Sequence, residues 1–249
     1  MQAFPVAGIG ASAGGLDAIK TLLANLSLDT GMALVIVQHL ATNQESMLPE
    51  ILGRSTKMPV IRVENGMKVE PNCVYVIPSG TTMTIVNSTL RLHPKMGSLK
   101  PIDEFLVSLA VERKTLAIGI ILSGTGTDGT EGLNAIKAEG GITFAQKPKT
   151  AQYPDMPQSA IAAETVYFVL SPEQIAEELS VIAKHPELAR QKMGESKLPE
   201  GDEKEPQIIF TILKAAFGVN FSNYKKTTVN RRISRRMILN KIENMKKYV

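Results

Sequence analysis

Two stretches limit what this chain can fold into more than any others. Ala33–Val37 (ALVIV) and Leu116–Leu122 (LAIGIIL) are continuous apolar runs of strand length, with no polar residue to face water. A strand of that kind needs cover on both faces, as in a parallel sheet held between helices. The rest of residues 1–185 reads the same way. Phe4–Ile9, Pro59–Val63, Val74–Ile77, Ile142–Phe144 and Val166–Val169 are short apolar runs, expected as strands. Leu16–Leu26, Glu45–Leu52, Ile102–Val111 and Gly129–Ala138 carry helical spacing, and Ser171 precedes a helix over 172–185 that begins with proline. Thr82–Val86 and Thr89–Leu92 are expected as a hairpin turning at Asn87-Ser88. Strands alternating with helices imply parallel pairing and right-handed crossovers. The expected class is α/β, a mostly parallel doubly wound sheet with flanking helices, followed by a small partial α-helical segment.

Charge divides the chain in two. Residues 1–203 carry a net −5 and residues 204–249 a net +9, which together give the overall +4. Between the two regions, Gln191–Pro206 (QKMGESKLPEGDEKEP) has two prolines, two glycines and many charges, which is linker composition. The expected organisation is a domain over 1–190, a linker over 191–206 and a second unit over 207–249. The first is long enough for its own core, whereas the second is marginal alone. With 43% hydrophobic and 21% charged residues, a mainly disordered chain is excluded. The longest apolar run is seven residues, Leu116–Leu122, far short of the roughly 20 that a membrane helix needs. A single cysteine, Cys73, allows no internal disulfide and fits a reducing cytoplasm. Without a Cys or His cluster, no metal site is expected.

Ligands of open α/β sheets sit beyond the carboxyl ends of the strands. After the first strand comes Gly10-Ala11-Ser12-Ala13-Gly14, a literal G-x-S-x-G. After the second comes Gln38-His39, and after the strand at 116–122 comes Ser123-Gly124-Thr125-Gly126-Thr127-Asp128. If those strands are neighbours, a serine, a histidine and an aspartate meet at one sheet edge. Small residues around Ser12 suit a tight strand-to-helix turn, and the free N–H groups of a helix start can hold an oxyanion. A histidine takes the serine proton, and a carboxylate orients the histidine. Each piece also has a plainer role: a packed glycine turn, a hydrogen-bonded strand-end histidine, and an aspartate capping the helix that follows it. The order Ser, His, Asp differs from that of α/β-hydrolases. Gly8-x-Gly10-x-x-Ala13 also approximates a dinucleotide fingerprint, but the acidic residue wanted at the end of the second strand is replaced by Gln38-His39.

IGASAGG, VIVQH, ILSGTGTDG and AQYPDMPQSAI, in that order, resemble the catalytic domain of chemotaxis protein-glutamate methylesterases of the CheB type, over about residues 3–185. The resemblance implies a mostly parallel α/β fold that needs no cofactor. It implies hydrolysis of glutamate methyl esters on the cytoplasmic helices of chemoreceptors, with methanol released, and in many members deamidation of glutamines. By motif position Ser12 matches the nucleophile, His39 the base and Asp128 the orienting carboxylate. Ala13 and Thr125 match the two backbone donors of the oxyanion hole, Thr125 standing where the family often has methionine. Met156-Pro157 matches a loop near the site. Enzymes of this family usually begin with a phosphorylated receiver domain. Here the first strand starts at residue 4, so control by such a domain in cis is not expected.

Residues 207–249 resemble the start of the helical N-terminal domain of CheR-type receptor methyltransferases. Val229, Ile233, Met237 and Ile242 fall on one helix face, with Arg231, Arg232, Arg235 and Arg236 beside it. The resemblance implies docking of this basic face on the acidic methylation region of a receptor. Nucleic acid is not an expected partner, because no aromatic residues are interleaved for stacking. The sequence ends before any methyl-donor domain, so it reads as the front part of an esterase–methyltransferase fusion. Two alternatives remain beside the serine esterase: a non-catalytic receptor-binding adaptor and a dinucleotide-dependent enzyme.

Overall fold

The computed structural model describes residues 4–38, 47–94 and 100–184. The chain divides into two units, Met1–Ala189 and Arg190–Val249, and all the described residues belong to the first. The described elements are β1 (Val6–Ala11), α1 (Gly15–Asn25), β2 (Ala33–Gln38), α2 (Leu48–Gly53), β3 (Val60–Arg62), β4 (Val74–Val76), β5 (Thr81–Val86) and β6 (Thr89–Pro94). They continue with α3 (Pro101–Arg113), β7 (Ala117–Ile121), α4 (Thr130–Ala138), β8 (Ile142–Gln146), α5 (Asp155–Ala162), β9 (Phe168–Leu170) and α6 (Pro172–Lys184).

Seven strands form one sheet in the order β3-β4-β2-β1-β7-β8-β9, and every pairing in it is parallel. The apolar runs are its centre. Every residue of β1, β7 and β8 is buried, as is β2 up to Val37. Side chains alternate between the two faces of a strand. Val6, Val35, Val37, Tyr75, Ala117 and Ile121 join one cluster with Ile102, Phe105, Leu106 and Leu109 of α3 and with Leu133 and Ile136 of α4. The alternate residues Ala7, Ile9, Leu34, Ile36, Ile118 and Ile120 are also fully buried. Their cover is α1 and α6, which pack on each other and touch β1 and β8. The doubly wound arrangement expected from the sequence is the one observed.

From β1 the chain first builds the β2 side of the sheet, then returns to add β7 on the other side of β1. That reversal makes the carboxyl ends of β1 and β7 the topological switch point, where ligands of such sheets bind. Gly10 pairs with Ile121, and Ala11 with Gln38, so three adjacent strands end side by side.

Three elements go beyond or depart from the expectation. Strands β5 and β6 do pair antiparallel across Asn87-Ser88, both with positive φ, but as a separate two-stranded sheet packed on α3. The edge strand β9 starts at Phe168, two residues later than Val166, and its Phe168 ring stacks on Phe144 with centroids 5.2 Å apart. Helix α5 was not among the expected elements, and its prolines do not bar it. Pro157 falls in the first turn, where no i−4 hydrogen bond exists to be lost. The helix over 172–184 does carry a capping box, with the Gln174 side chain accepting from Ser171 N–H at 3.1 Å.

One row of α3 fastens the hairpin. Glu104 Oε1 accepts from Thr82 Oγ1 at 3.0 Å, Ser108 Oγ accepts from Ile85 N–H at 3.0 Å, and Glu112 accepts the N–H groups of Asn87 and Ser88 at 3.0 and 2.8 Å. Their i, i+4 spacing aligns all three on one face. Charge-assisted bonds of this kind are worth about 1.5–3 kcal/mol each at most, and less when part-exposed. Glu112→Ala is expected to lower the melting temperature by roughly 2–8 °C, for a loss of about 1–2 kcal/mol. A calorimetric scan beside Glu112→Gln, which keeps one acceptor and should lose less, checks this.

Candidate active site

The first turn of the site is built by Ser12. Its N–H donates to Ser123 O at 3.0 Å, which extends the β1–β7 pairing one step past the strand ends. Its carbonyl accepts from Gly15 N–H at 3.0 Å and closes the turn into α1. Gly14 takes φ +66° there, a conformation that glycine adopts without strain. The Ser12 side chain is half-buried and makes no hydrogen bond to a described residue.

The loop after β7 lies directly against this turn. A Cβ at Gly124 would stand 2.9 Å from Ser12 Cβ and 2.2 Å from Met156 Sδ, so only glycine lets the loop come so close. Gly124 N–H donates to Tyr153 O at 2.9 Å, and Gly124 O accepts from Met156 N–H at 3.0 Å. The start of α5 therefore clamps the loop from behind. Ser123 is the hub of the arrangement. Its hydroxyl donates to Ala13 O at 2.9 Å and accepts from Tyr153 N–H at 3.0 Å, while its own N–H donates to Gln146 Oε1 at 2.9 Å. Ser123 and Gln146 are both buried. Their roles were not read from the sequence. The signals available were a serine just after one apolar strand and a glutamine at the end of another, mainly apolar one.

The two expected oxyanion donors occupy these two loops. Ala13 lies in the turn after Ser12, and Thr125 is exposed one residue beyond Gly124. Neither N–H donates to a described group. Asp128 is buried, at 5% exposure. It does not cap its own helix, whose cap position is Gly129 with no side-chain bond. Instead it reaches across to α3: Oδ2 accepts from Ile102 N–H at 3.0 Å and Oδ1 from Asp103 N–H at 2.9 Å. The plainer alternative for Asp128, a cap on the helix that follows it, is therefore not what is observed, and residue spacing cannot reveal a partner 26 residues away. A carboxylate oxygen can accept more than one hydrogen bond. His39 follows Gln38 at the end of β2 and lies outside the described residues, as do Arg231, Arg232, Arg235 and Arg236.

The dinucleotide reading loses its glycines. A Cβ at Gly8 would meet Leu106 Cδ2 at 2.5 Å, and one at Gly10 would meet Ile102 Cγ2 at 2.4 Å. Both glycines lie within β1 and let α3 pack on the strand, instead of opening a phosphate cradle.

The family model described as CheB methylesterase matches residues 7–179. The chain belongs to the CheB methylesterase family. A second model, the all-alpha domain of CheR methyltransferase, matches residues 204–249, so a CheB-type domain precedes a CheR-type segment in one sequence. The crystal structure of the Thermotoga maritima CheB methylesterase catalytic domain aligns with a TM-score of 0.67 at 27% identity, covering 73% of this chain and 100% of that one. An uncharacterized 104.1 kDa protein of Rhodobacter capsulatus is 35% identical over 225 residues, 81% of this chain and 23% of the relative. A protein-glutamate methylesterase/protein-glutamine glutaminase of Rhizobium meliloti is 34% identical over 183 residues, 72% of this chain and 52% of the relative. The chain thus spans about a quarter of the first relative and about half of the second. Among the described residues of this CheB-type domain, no helix is long and apolar enough to cross a membrane.

A second buried carboxyl stands beside Asp128. Asp103 is 4% exposed, its Oδ1 accepts from Gly132 N–H at 2.8 Å, and its Oδ2 lies 3.4 Å from Lys100 Nζ. Burial pushes this carboxyl above its ordinary value, and the nearby Asp128 charge adds to the push. The Gly132 bond and Lys100 pull the other way without cancelling it. A raised folded-state value means that the folded chain holds this proton more tightly than the unfolded chain. Stability is therefore highest below the unfolded aspartate range and is lost as pH rises through the folded value. Asp103→Asn, which is neutral at every pH, is expected to be more stable than wild type at about pH 7, with the gain shrinking towards about pH 3. Urea unfolding at both pH values measures it.

Proposed function

We propose that this CheB-type domain is a serine esterase that hydrolyses glutamate methyl esters on chemoreceptor cytoplasmic helices. The observation that carries the reading is the contact between the Ser12 turn and the 123–128 loop at the β1/β7 switch point, in a chain of the methylesterase family. The ester carbonyl enters beside Ser12. His39 takes the hydroxyl proton as Ser12 Oγ bonds to the carbonyl carbon, and Asp128 orients the imidazole and stabilises its positive form. The unspent N–H groups of Ala13 and Thr125 are the donors for the oxyanion. The tetrahedral intermediate collapses as His39 returns the proton to the departing methoxide, and methanol leaves. Water, deprotonated by His39, then attacks the acyl-enzyme, and glutamate and free Ser12 are regenerated. A glutamine amide follows the same path with ammonia as the leaving group, in line with the second activity in the name of the Rhizobium meliloti relative.

Because its substrate is a receptor's cytoplasmic region, the domain works in the cytoplasm. We further propose that the basic segment bearing Arg231, Arg232, Arg235 and Arg236 supplies a docking surface for acidic receptor helices. Methanol release from carboxyl-methylated chemoreceptor membranes tests the reading. Wild type is expected to release methanol, and Ser12→Ala to fall by at least about 10⁴-fold in kcat while melting within a few degrees of wild type. A well-folded Ser12→Ala that keeps most of the activity overturns the assignment.

A further inference from the structure

The two buried aspartates beside the site grip each other's helices. Asp128, two residues before α4, accepts the N–H groups of Ile102 and Asp103 in the first turn of α3. Asp103, in that first turn, accepts the N–H of Gly132 in the first turn of α4. Asp128 thus caps the helix that holds Asp103, and Asp103 caps the helix that follows Asp128. Helix N-termini favour negative charge, so both contacts also gain from the aligned peptide dipoles. Lys100 braces the pair from outside, with Nζ 3.4 Å from Asp103 Oδ2 and 3.3 Å from Glu131 Oε1 on α4. The helices press together at this point: a Cβ on Gly132 would stand 2.4 Å from Leu106 Cβ.

We propose that Asp103 is the positioning residue of the Asp128 carboxylate, acting through this exchange of caps. The inference rests on the esterase reading for its kinetic consequence, though not for its structural one. If α4 slides relative to α3, the 126–129 segment and Asp128 move with it. Asp103 opposes that slide by holding Gly132 to α3. An orienting carboxylate has little tolerance, because a misplacement of about 1 Å in a catalytic group costs on the order of 10²-fold. Asp103 Oδ2 faces Lys100 Nζ and accepts no backbone N–H among the described residues, so the cap runs through Oδ1 alone. Asparagine supplies the same oxygen, and alanine supplies none.

Two readouts test the proposal in the full chain. The first is amide hydrogen exchange at Ile102 and residue 103, whose acceptor is Asp128 and not Asp103. Asp103→Ala is expected to speed exchange there by about tenfold or more, and Asp103→Asn to leave it near wild type. The second is kinetic, on methylated receptor. Asp103→Ala should lower kcat by about 10- to 100-fold with KM little changed, and Asp103→Asn should restore most of it. In an Asp128→Ala background, Asp103→Ala should cost nothing more, because its effect passes through Asp128. Unchanged protection at Ile102 and residue 103 in Asp103→Ala overturns the proposal. So does an equal loss of kcat in both backgrounds. A wild type that releases no methanol refutes the esterase reading, and the exchange experiment then still decides whether Asp103 holds Asp128.

Discussion

The hydrogen bond from Ser12 N–H to Ser123 O, at 3.0 Å, is the interaction on which the rest of the site depends. It carries the β1–β7 pairing one residue past the strands and joins two loops that would otherwise diverge. Gly124 allows the close approach that follows, and Ser123 fixes the Ser12 turn through Ala13 O. The Tyr153–Met156 segment closes over the back of the loop. The candidate nucleophile therefore does not sit on a free loop. It stands on a strand end held from two sides.

Such a strand end carries backbone polar groups into a nearly apolar core, and each one left unpaired would cost about 1–3 kcal/mol. The chain meets this with a few buried polar side chains used fully. Ser123 bonds three segments, and the Gln146 side chain accepts from Ser123 N–H and donates to Thr150 O at 2.9 Å. Asp128 and Asp103 satisfy three helix-start N–H groups between them. Residues that hold the fold at this edge are thus also those that set the geometry around Ser12, and stability and site share the same bonds.

The sheet was legible in the sequence because strands covered on both faces must be apolar throughout, as Ala33–Val37 and Leu116–Leu122 are. The strand-end motifs were legible because chemistry at a switch point has to follow a strand, and Ser12 and Asp128 do so on neighbours. Other features were hidden for definite reasons. Helix α5 contains a proline that harms only a helix interior. The hairpin Thr81–Pro94 has ordinary strand composition, and nothing local says that it leaves the main sheet. The capping partner of Asp128 lies 26 residues upstream, and that of Asp103 29 residues downstream, so both contacts exist only once α3 and α4 have packed.

The central claim is that the serine at the end of β1 is an activated nucleophile, and labelling with a sulfonyl fluoride followed by peptide mass spectrometry tests it without a receptor. The account predicts one adduct per chain, on Ser12, forming quickly in wild type and at least about 10²-fold more slowly in His39→Ala, since a serine without its base is a weak nucleophile. An adduct on another serine, or Ser12 labelling that is indifferent to His39, would contradict it.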